Sequence, residues 1–317
     1  MLCITNHITD PYFNIASEEH LLKNFSDDIF MLYINEPSII VGKHQNTFAE
    51  INHRFTLENN IKIVRRLSGG GTVFHDSGNL NFCFIRNGQE GNLIDFKRFT
   101  QPIIEVLQSM GVPAERSGRN DLIINGLKFS GNAEHVYKNR TLHHGTLLFS
   151  SRLDNLGTAL KVNPDLYQDK AVKSVRSKVT NISEYLPSDI TIDAFKETIL
   201  KHLTSGSEEV FAYEFNQHDM TEIRTLIETK YNTWDWNFGY SPRFVFTNRQ
   251  SFNGKLLEVE LMVEKGLIKQ AKLTVDKQPI DEVSRVLTGV CYRETDVVKK
   301  LQTMNGLETD FVRSILF

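Results

Sequence analysis

The chain has 317 residues, which at roughly 150 residues per domain suggests about two domains. Apolar residues make up 40% and charged residues 24%, so a disordered chain, a collagen and a disulfide scaffold are all disfavoured. The 36 Lys and Arg against 39 Asp and Glu leave a net charge of −3, which gives no general pull toward nucleic acid or an anionic membrane. No apolar run approaches the roughly 18 residues of a membrane span. MLCITNHITDPYF, at the start, has neither a basic opening nor a long apolar stretch, so no secretory signal is expected. Cys3, Cys83 and Cys291 lie far apart with no CxxC pair, which predicts reduced thiols in a cytoplasmic protein and no zinc site.

Asp10-Pro11 reads as an N-cap followed by proline in the first helical turn, so a helix is expected over Tyr12–Phe25. FMLYI (30–34) and SIIVG (38–42), split by Asn35-Glu36-Pro37, predict a hairpin or meander. IKIVRRL (61–67) and TVFHDSGNLNFCFI (72–85) predict further strands. Apolar spacing from Phe96 to Met110 predicts a helix that stops at Gly111. Asn125-Gly126 between apolar runs is a strong hairpin signal and puts Lys128 on the returning strand. LHHGTLLF (142–149) predicts another strand. Residues 161–180 lack clear periodicity and carry Lys161, Lys170, Lys173, Arg176 and Lys178, which suggests a functional basic loop. Helices are expected near 193–204 and 219–230, then a turn-rich stretch at 233–244. Beyond it, a strand pair around Glu264-Lys265-Gly266 and helices in PIDEVSRVLTG and ETDVVKKLQTM form a smaller domain. The pattern is α+β around a mixed or antiparallel sheet. The division is expected near residue 245, giving 1–245 and 246–317.

Chemistry concentrates in three segments. In RRLSGGGTVFHDSGN (65–79), a glycine run offers backbone N–H groups to an anion, and Arg65 and Arg66 add forked cations. A plain glycine-rich turn with solvated arginines would read the same way, and the spacing matches neither a Walker A loop nor a Rossmann fingerprint. In SGRNDLIINGLKFSGNA (117–133), Asp121 and Lys128 lie on the two strands of one hairpin. Asp121 suits a metal ion or a ribose hydroxyl. Lys128, flanked by Leu127 and Phe129, could equally be an outward-facing solvated lysine. His143 and His144 are adjacent on a strand, so they face opposite ways and do not easily chelate one metal.

In this order and at these separations, RRLSGGGTVFHDSGN, GRNDL…KFSGNA and LHHGTLL resemble the lipoate–protein ligase family, of the type with a C-terminal accessory domain. KSVRSKVTNI (173–182) resembles that family's adenylate-binding loop, and WDWNFG (234–239) the stretch before its small domain. The resemblance implies a biotin/lipoate ligase, class II synthetase-like catalytic domain. It implies ATP and lipoate as substrates with Mg²⁺, a lipoyl-adenylate intermediate, and transfer to a lysine of a lipoyl-carrier domain, either an E2 subunit or the glycine-cleavage H protein. Arg66, Gly71, Thr72, Val73, Phe74 and Asn79 would hold nucleotide and acyl carboxylate. Asp121 would help place Mg²⁺ or the triphosphate. Lys128 would bridge the α-phosphate and the acyl carbonyl as the catalytic cation. The basic loop would close over the adenylate, and Arg65, Arg66, Lys173 and Arg176 would steer an acidic carrier. A monomer is expected. Phe129 and Asn132 are bulkier or more polar than the small residues such a motif suggests, which bears on acyl-chain choice. The nearest rival is a lipoyl or octanoyl transferase of the same superfamily that needs no ATP, for which Cys83 is the one nearby thiol.

Overall fold

The computed structural model describes residues 1–88, 93–118, 120–160, 162–205, 209–252, 254–304 and 315–316. Arg119 of the GRNDL motif and Lys161 of the basic loop lie outside the described residues.

The elements follow the chain as β1 (Leu2–Thr5), α1 (Pro11–Asn24), β2 (Ile29–Ile34), β3 (Ser38–Val41), α2 (His53–Glu58), β4 (Lys62–Arg65), β5 (Val73–His75) and β6 (Asn79–Asn87). Then come α3 (Phe96–Ser109), β7 (Ala114–Ser117), β8 (Asp121–Ile124), β9 (Leu127–Tyr137), β10 (Arg140–Leu148), α4 (Leu153–Ala159), β11 (Tyr167–Asp169), α5 (Ile192–Thr204), β12 (Phe211–Ala212) and α6 (Gln217–Leu226). The chain finishes with β13 (Phe244–Phe252), β14 (Lys255–Glu264), β15 (Leu267–Val275), β16 (Gln278–Pro279), α7 (Asp281–Leu287) and α8 (Glu294–Leu301).

The chain divides into two compact units that interleave along the sequence. The first takes Met1–Lys43, Ile61–Thr158 and Ser174–Asn232; the second takes His44–Asn60, Ala159–Lys173 and Thr233–Phe317. A single cut near 245 is a linear description, whereas the second unit also takes two short segments from earlier in the chain.

In the first unit an eight-stranded sheet runs β12-β1-β2-β6-β10-β9-β8-β7. β1 pairs in parallel with β2 and β12, and the other neighbours are antiparallel, so the sheet is mixed as expected. One face buries Phe82, Phe84, Leu122, Ile124 and Phe129 against Phe99, Ile103 and Leu107 of α3 and Phe195 and Ile199 of α5. A separate three-stranded sheet, β4-β3-β5, carries the chain into and out of the glycine run. The hairpin expected between 30–34 and 38–42 does not form: β2 joins the large sheet and β3 the small one. Glu36 N–H bonds to Thr9 O at 2.9 Å, so the connecting residues are held by the segment before α1 instead of closing a tight turn.

α1 begins where the sequence places it, with Asp10 accepting from Tyr12 N–H at 2.9 Å. It is buried on nearly every side from Phe13 to Leu22, including Glu18, Glu19 and His20. Those three successive polar residues point about 100° apart and each reaches a different partner. Glu18 bonds His144 and Tyr33, Glu19 bonds Lys230 and Tyr231, and His20 bonds Asp219 of α6. Burying three ionisable groups is tolerable because every one is paired.

The second unit has a five-stranded sheet, β11-β13-β14-β15-β16, covered by α7 and α8. Phe244, Phe246, Leu257, Leu261 and Tyr292 form its core together with Phe48. β13 was not expected, because Thr247, Asn248, Arg249 and Gln250 break its apolar alternation. Its ladder to β14 supplies what the side chains do not.

Candidate active site

Register decides where Lys128 points. Asn125 and Gly126 both have positive φ, +50° and +80°, as the tight turn between β8 and β9 requires. From there Ile123 faces Lys128 and Asp121 faces Gly131, with a register shift between Leu122 and Ile123. Residues 128 and 131 are an odd number apart and would lie on opposite faces of an unbroken strand. The bulge corrects the parity, so Lys128, Gly131, Ala133 and His135 share one face while Phe129 stays in the core. Lys128 Nζ lies 2.8 Å from Asp121 Oδ1, and both side chains are partly exposed. A Cβ on Gly131 would sit 3.2 Å from Lys128 Cε and Nζ, so the bare glycine is what lets the ammonium lie there. The sheet face shared by these residues is the one α1 covers, because His144 is paired with Ala133 and bonds Glu18.

Arg66 shapes the glycine run. Its guanidinium donates to Ser68 Oγ (3.0 Å), Ile40 O (3.0 Å), Gly69 O (2.6 Å) and Gly71 O (2.7 Å). Burial pulls its pKa down to about 10, with Glu18 and Tyr33 acting the other way, so it stays charged at neutral pH. Arg65 is fully buried and donates to Gly42 O and Lys43 O, both at 3.0 Å. Neither arginine therefore presents the exposed charge expected for steering. Arg66 thus ties down the carbonyls of Gly69 and Gly71 within the run.

Next along the run, Thr72 N–H donates to Ser174 Oγ at 2.9 Å. Ser174 opens the segment that runs on to Lys178, Val179 and Thr180. There Lys128 N–H donates to Lys178 O (2.9 Å) and Thr180 N–H to Lys128 O (3.0 Å). The basic segment thus touches the glycine run at one end and the Lys128 strand at the other. Ser174 sits close enough that a Cβ on Gly71 would lie 3.0 Å from its hydroxyl.

Behind the run, hydrogen bonds form a directed chain. Arg66 Nε donates to Ser68 Oγ, Ser68 lies 2.5 Å from His144 Nε2, and His144 Nδ1 lies 2.7 Å from Glu18 Oε2. Tyr33 OH donates to the other oxygen of Glu18 at 2.9 Å. His75 is buried nearby, and its Nδ1 accepts from Asn35 Nδ2 at 2.9 Å. Burial, with Arg66 and His144 alongside, pulls the His75 pKa down to about 3. The neutral ring then carries its proton on Nε2, a buried atom without a hydrogen-bond partner among the described residues. Because the unfolded ring titrates near ~6.5, the unfolded chain gains a proton that the native chain refuses as pH falls below that value. Stability should drop by up to about 1.4 kcal/mol per pH unit from this group between ~6.5 and about 3. Urea unfolding at several pH values should show a shallower slope for His75→Gln; an unchanged slope refutes the assignment.

The structure therefore brings Lys128, Asp121, Gly71 and Thr72 to one segment, Ser174–Thr180. Val73 and Phe74 lie on β5, paired with Ile40 and Ile39. Asn79 opens β6, where its Nδ2 donates to Asn81 Oδ1 at 2.8 Å and its buried Oδ1 has no partner among the described residues. Among the described residues no hydrogen bond ties Asn79 to Lys128 or Asp121. Ser174, Ser68 and Glu18 were not singled out in the sequence; a serine in a basic loop and a glutamate in an apolar helix carry no signal of their own. Cys83 is buried, and burial together with Glu18 holds its thiol well above its ordinary pKa, so it is a poor nucleophile. No three metal-ligating side chains cluster among the described residues. No described helix is long and apolar enough to cross a membrane.

Comparison with known proteins shows the family. The Lipoyl protein ligase A/B catalytic domain family matches residues 10–204, and the Bacterial lipoate protein ligase C-terminus family matches 241–315. Lipoate–protein ligase 1 of Staphylococcus aureus (strain Mu50) is 44% identical over 281 residues, covering 88% of this chain and 85% of its own. Lipoate-protein ligase LplJ of Bacillus subtilis (strain 168) is 40% identical over 313 residues, covering 96% and 95%. The crystal structure of P. falciparum LipL1 in complex with lipoate matches with a TM-score of 0.63 at 25% identity, over 99% of this chain and 98% of that one. Fold and relatives together define an enzyme of the ligase class. The chain belongs to the lipoate–protein ligase family.

Proposed function

We propose that this chain joins lipoate to ATP, forming lipoyl-adenylate and pyrophosphate, and then passes the lipoyl group to a lysine of a carrier domain. The observation that carries the reading is Lys128, turned by the bulge onto the α1 face and shared with Asp121 and the Ser174–Thr180 segment. A carboxylate attacking a phosphate brings two anions together, and fixed donors aimed at the developing charge offset their repulsion. Lys128 leaves Asp121 to hold the α-phosphate and the acyl carbonyl. Gly71, Thr72, Val73 and Phe74 offer main-chain donors and walls to nucleotide and lipoate, Arg66 fixes the shape of that loop, and Asn79 reaches the phosphates.

Asp121 suits Mg²⁺ that arrives with the triphosphate, since Mg²⁺ commonly takes one or two carboxylates and completes its shell with phosphate and water. Residues 1–245 would carry both half-reactions and 246–317 would form the accessory part. E2 lipoyl domains and the H protein are the acceptors we propose. We infer a monomer as the working form, and the free cysteines Cys3, Cys83 and Cys291 fit the cytoplasm. A transferase without adenylation is the less favoured reading, since the Cys83 thiol is buried and its pKa is raised. Lipoate-dependent ATP–pyrophosphate exchange, run with and without an apo carrier, tests the assignment: no exchange by the folded enzyme overturns it.

Closure of the basic segment over the adenylate would exclude water from a reactive anhydride. Limited proteolysis of the 161–180 stretch should slow when lipoate and ATP are both added. Equal cleavage rates with and without them would rule out a lid.

A further inference from the structure

We propose that Asn132 is a positioning residue for adenylation: it fixes Asp121 opposite Gly131, and His143, on the other side of the sheet from Lys128, holds Asn132 in place. The inference rests on the ligase reading and concerns what keeps the Asp121–Lys128 pair in register. The paired register of β8 and β9 ends at Asp121 and Gly131. One residue further on, Asn132 takes over. Its backbone N–H and its side-chain Nδ2 both donate to Asn120 O at 3.0 Å, and Asn120 Nδ2 donates back to Asn132 O at 3.2 Å. Three hydrogen bonds thus clamp the residue immediately before Asp121, whose carboxylate meets Lys128 Nζ at 2.8 Å.

Asn132 does this from the core side. Gly131 and Ala133 share the Lys128 face, so Asn132 between them points into the layer under α3, where it is 4% exposed. Its Nδ2 is committed to Asn120 O and Ser130 Oγ, so its Oδ1 must accept, and His143 Nε2 lies 3.3 Å from it. His143 is fully buried. Its Nδ1 lies 2.9 Å from Glu134 Oε1, and its ring stacks on Phe99 of α3 with centres 4.9 Å apart. Those contacts fix the ring at both nitrogens and on one face, and the amide of Asn132 is fixed with it. β10 leaves room for that amide at one point: Gly145 pairs with Asn132, and a Cβ there would lie 2.2 Å from Oδ1. The first and third residues of His143-His144-Gly145 therefore serve Asn132, while His144 bonds Glu18 of α1. Polar groups set among Phe82, Phe84 and Phe99 are costly to bury unless they are paired. Apolar side chains would fill this layer without them; what the polar string adds is a fixed place for Asn120 and Asp121.

The test is Asn132→Ser in the full chain, assayed at temperatures where a thermal melt shows it folded. Serine is too short to reach Asn120. Lipoate-dependent ATP–pyrophosphate exchange should fall ~10–10²-fold, the scale of loss when a reacting group is misplaced by about 1 Å. In an Asp121→Ala background the same substitution should have no further effect, because a residue that acts through Asp121 has nothing left to place; independent effects would multiply. His143→Phe keeps the stacking on Phe99 but has no donor for Asn132, and it should lower exchange as well. His143→Gln, whose amide keeps a donor, should recover most of that loss. This pair of His143 variants decides the question if Asn132→Ser does not fold. Native exchange by folded Asn132→Ser overturns the proposal, as do losses that multiply with those of Asp121→Ala, or equal exchange by the Phe and Gln variants. Absence of exchange in the native enzyme would instead defeat the ligase reading itself.

Discussion

Lys128→Ala is expected to stop lipoyl-adenylate synthesis in a chain that still folds. The side chain is 25% exposed, and its strand is held by main-chain bonds to Lys178 and Thr180 that alanine retains. What is lost is the one ammonium placed on the α1 face beside Asp121. Removing a single preorganised donor costs ~10²–10³ in rate, and a full charge serving both half-reactions costs at least that. Lys128→Arg should rescue poorly, because a planar fork does not replace a compact point charge where a Cβ at Gly131 would already sit 3.2 Å from Cε and Nζ. Single-turnover adenylate formation, with a thermal melt to confirm folding, checks the result. Adenylation near the native rate would remove Lys128 from the mechanism.

Arg66 should behave differently, losing stability and activity together. Its four donated bonds satisfy Ser68, Ile40, Gly69 and Gly71. Truncation to alanine strands the buried Ile40 carbonyl at ~1–3 kcal/mol and frees the part-buried carbonyls of Gly69 and Gly71 for less, so a loss of a few kcal/mol is expected. Lysine cannot replace it, since one ammonium cannot span acceptors on both sides of a planar guanidinium. Urea unfolding should show Arg66→Lys well below the native protein, and pyrophosphate exchange should fall even where the variant is folded. A stable variant with normal exchange would mean that the glycine run holds its shape without Arg66.

The contrast between these residues shows what the amino-acid sequence could reveal. Asn125-Gly126 fixed the turn, and with it the pairing of Asp121 and Lys128 across one hairpin. The face on which they lie depends on a bulge that no residue type announces. Arg65 and Arg66 read as exposed positive charge beside a glycine run, yet both turn inward to carbonyls. Charge next to glycine reports attraction to oxygen atoms, and backbone oxygens satisfy it as well as phosphate does. The apolar runs of β2 and β3 looked like neighbours because they are close in sequence. Their partners, β6 for one and β4 and β5 for the other, are set by distant contacts. The ordered motifs, in contrast, identified the family from residues 65–182 before any geometry was known.

Ser174 adds a consequence for selectivity. Its hydroxyl rests on the Thr72 N–H, so whatever arrives there displaces a tethered competitor and does not fill a bare donor. A tethered group acts at an effective concentration that dilution cannot lower. A small anion offering one or two contacts gains little from the exchange. On the proposed reading, a nucleotide that also engaged Lys128 would gain more contacts than it displaced. The serine thereby sets a threshold, and ions abundant in the cell would be filtered by the number of contacts they can make at once.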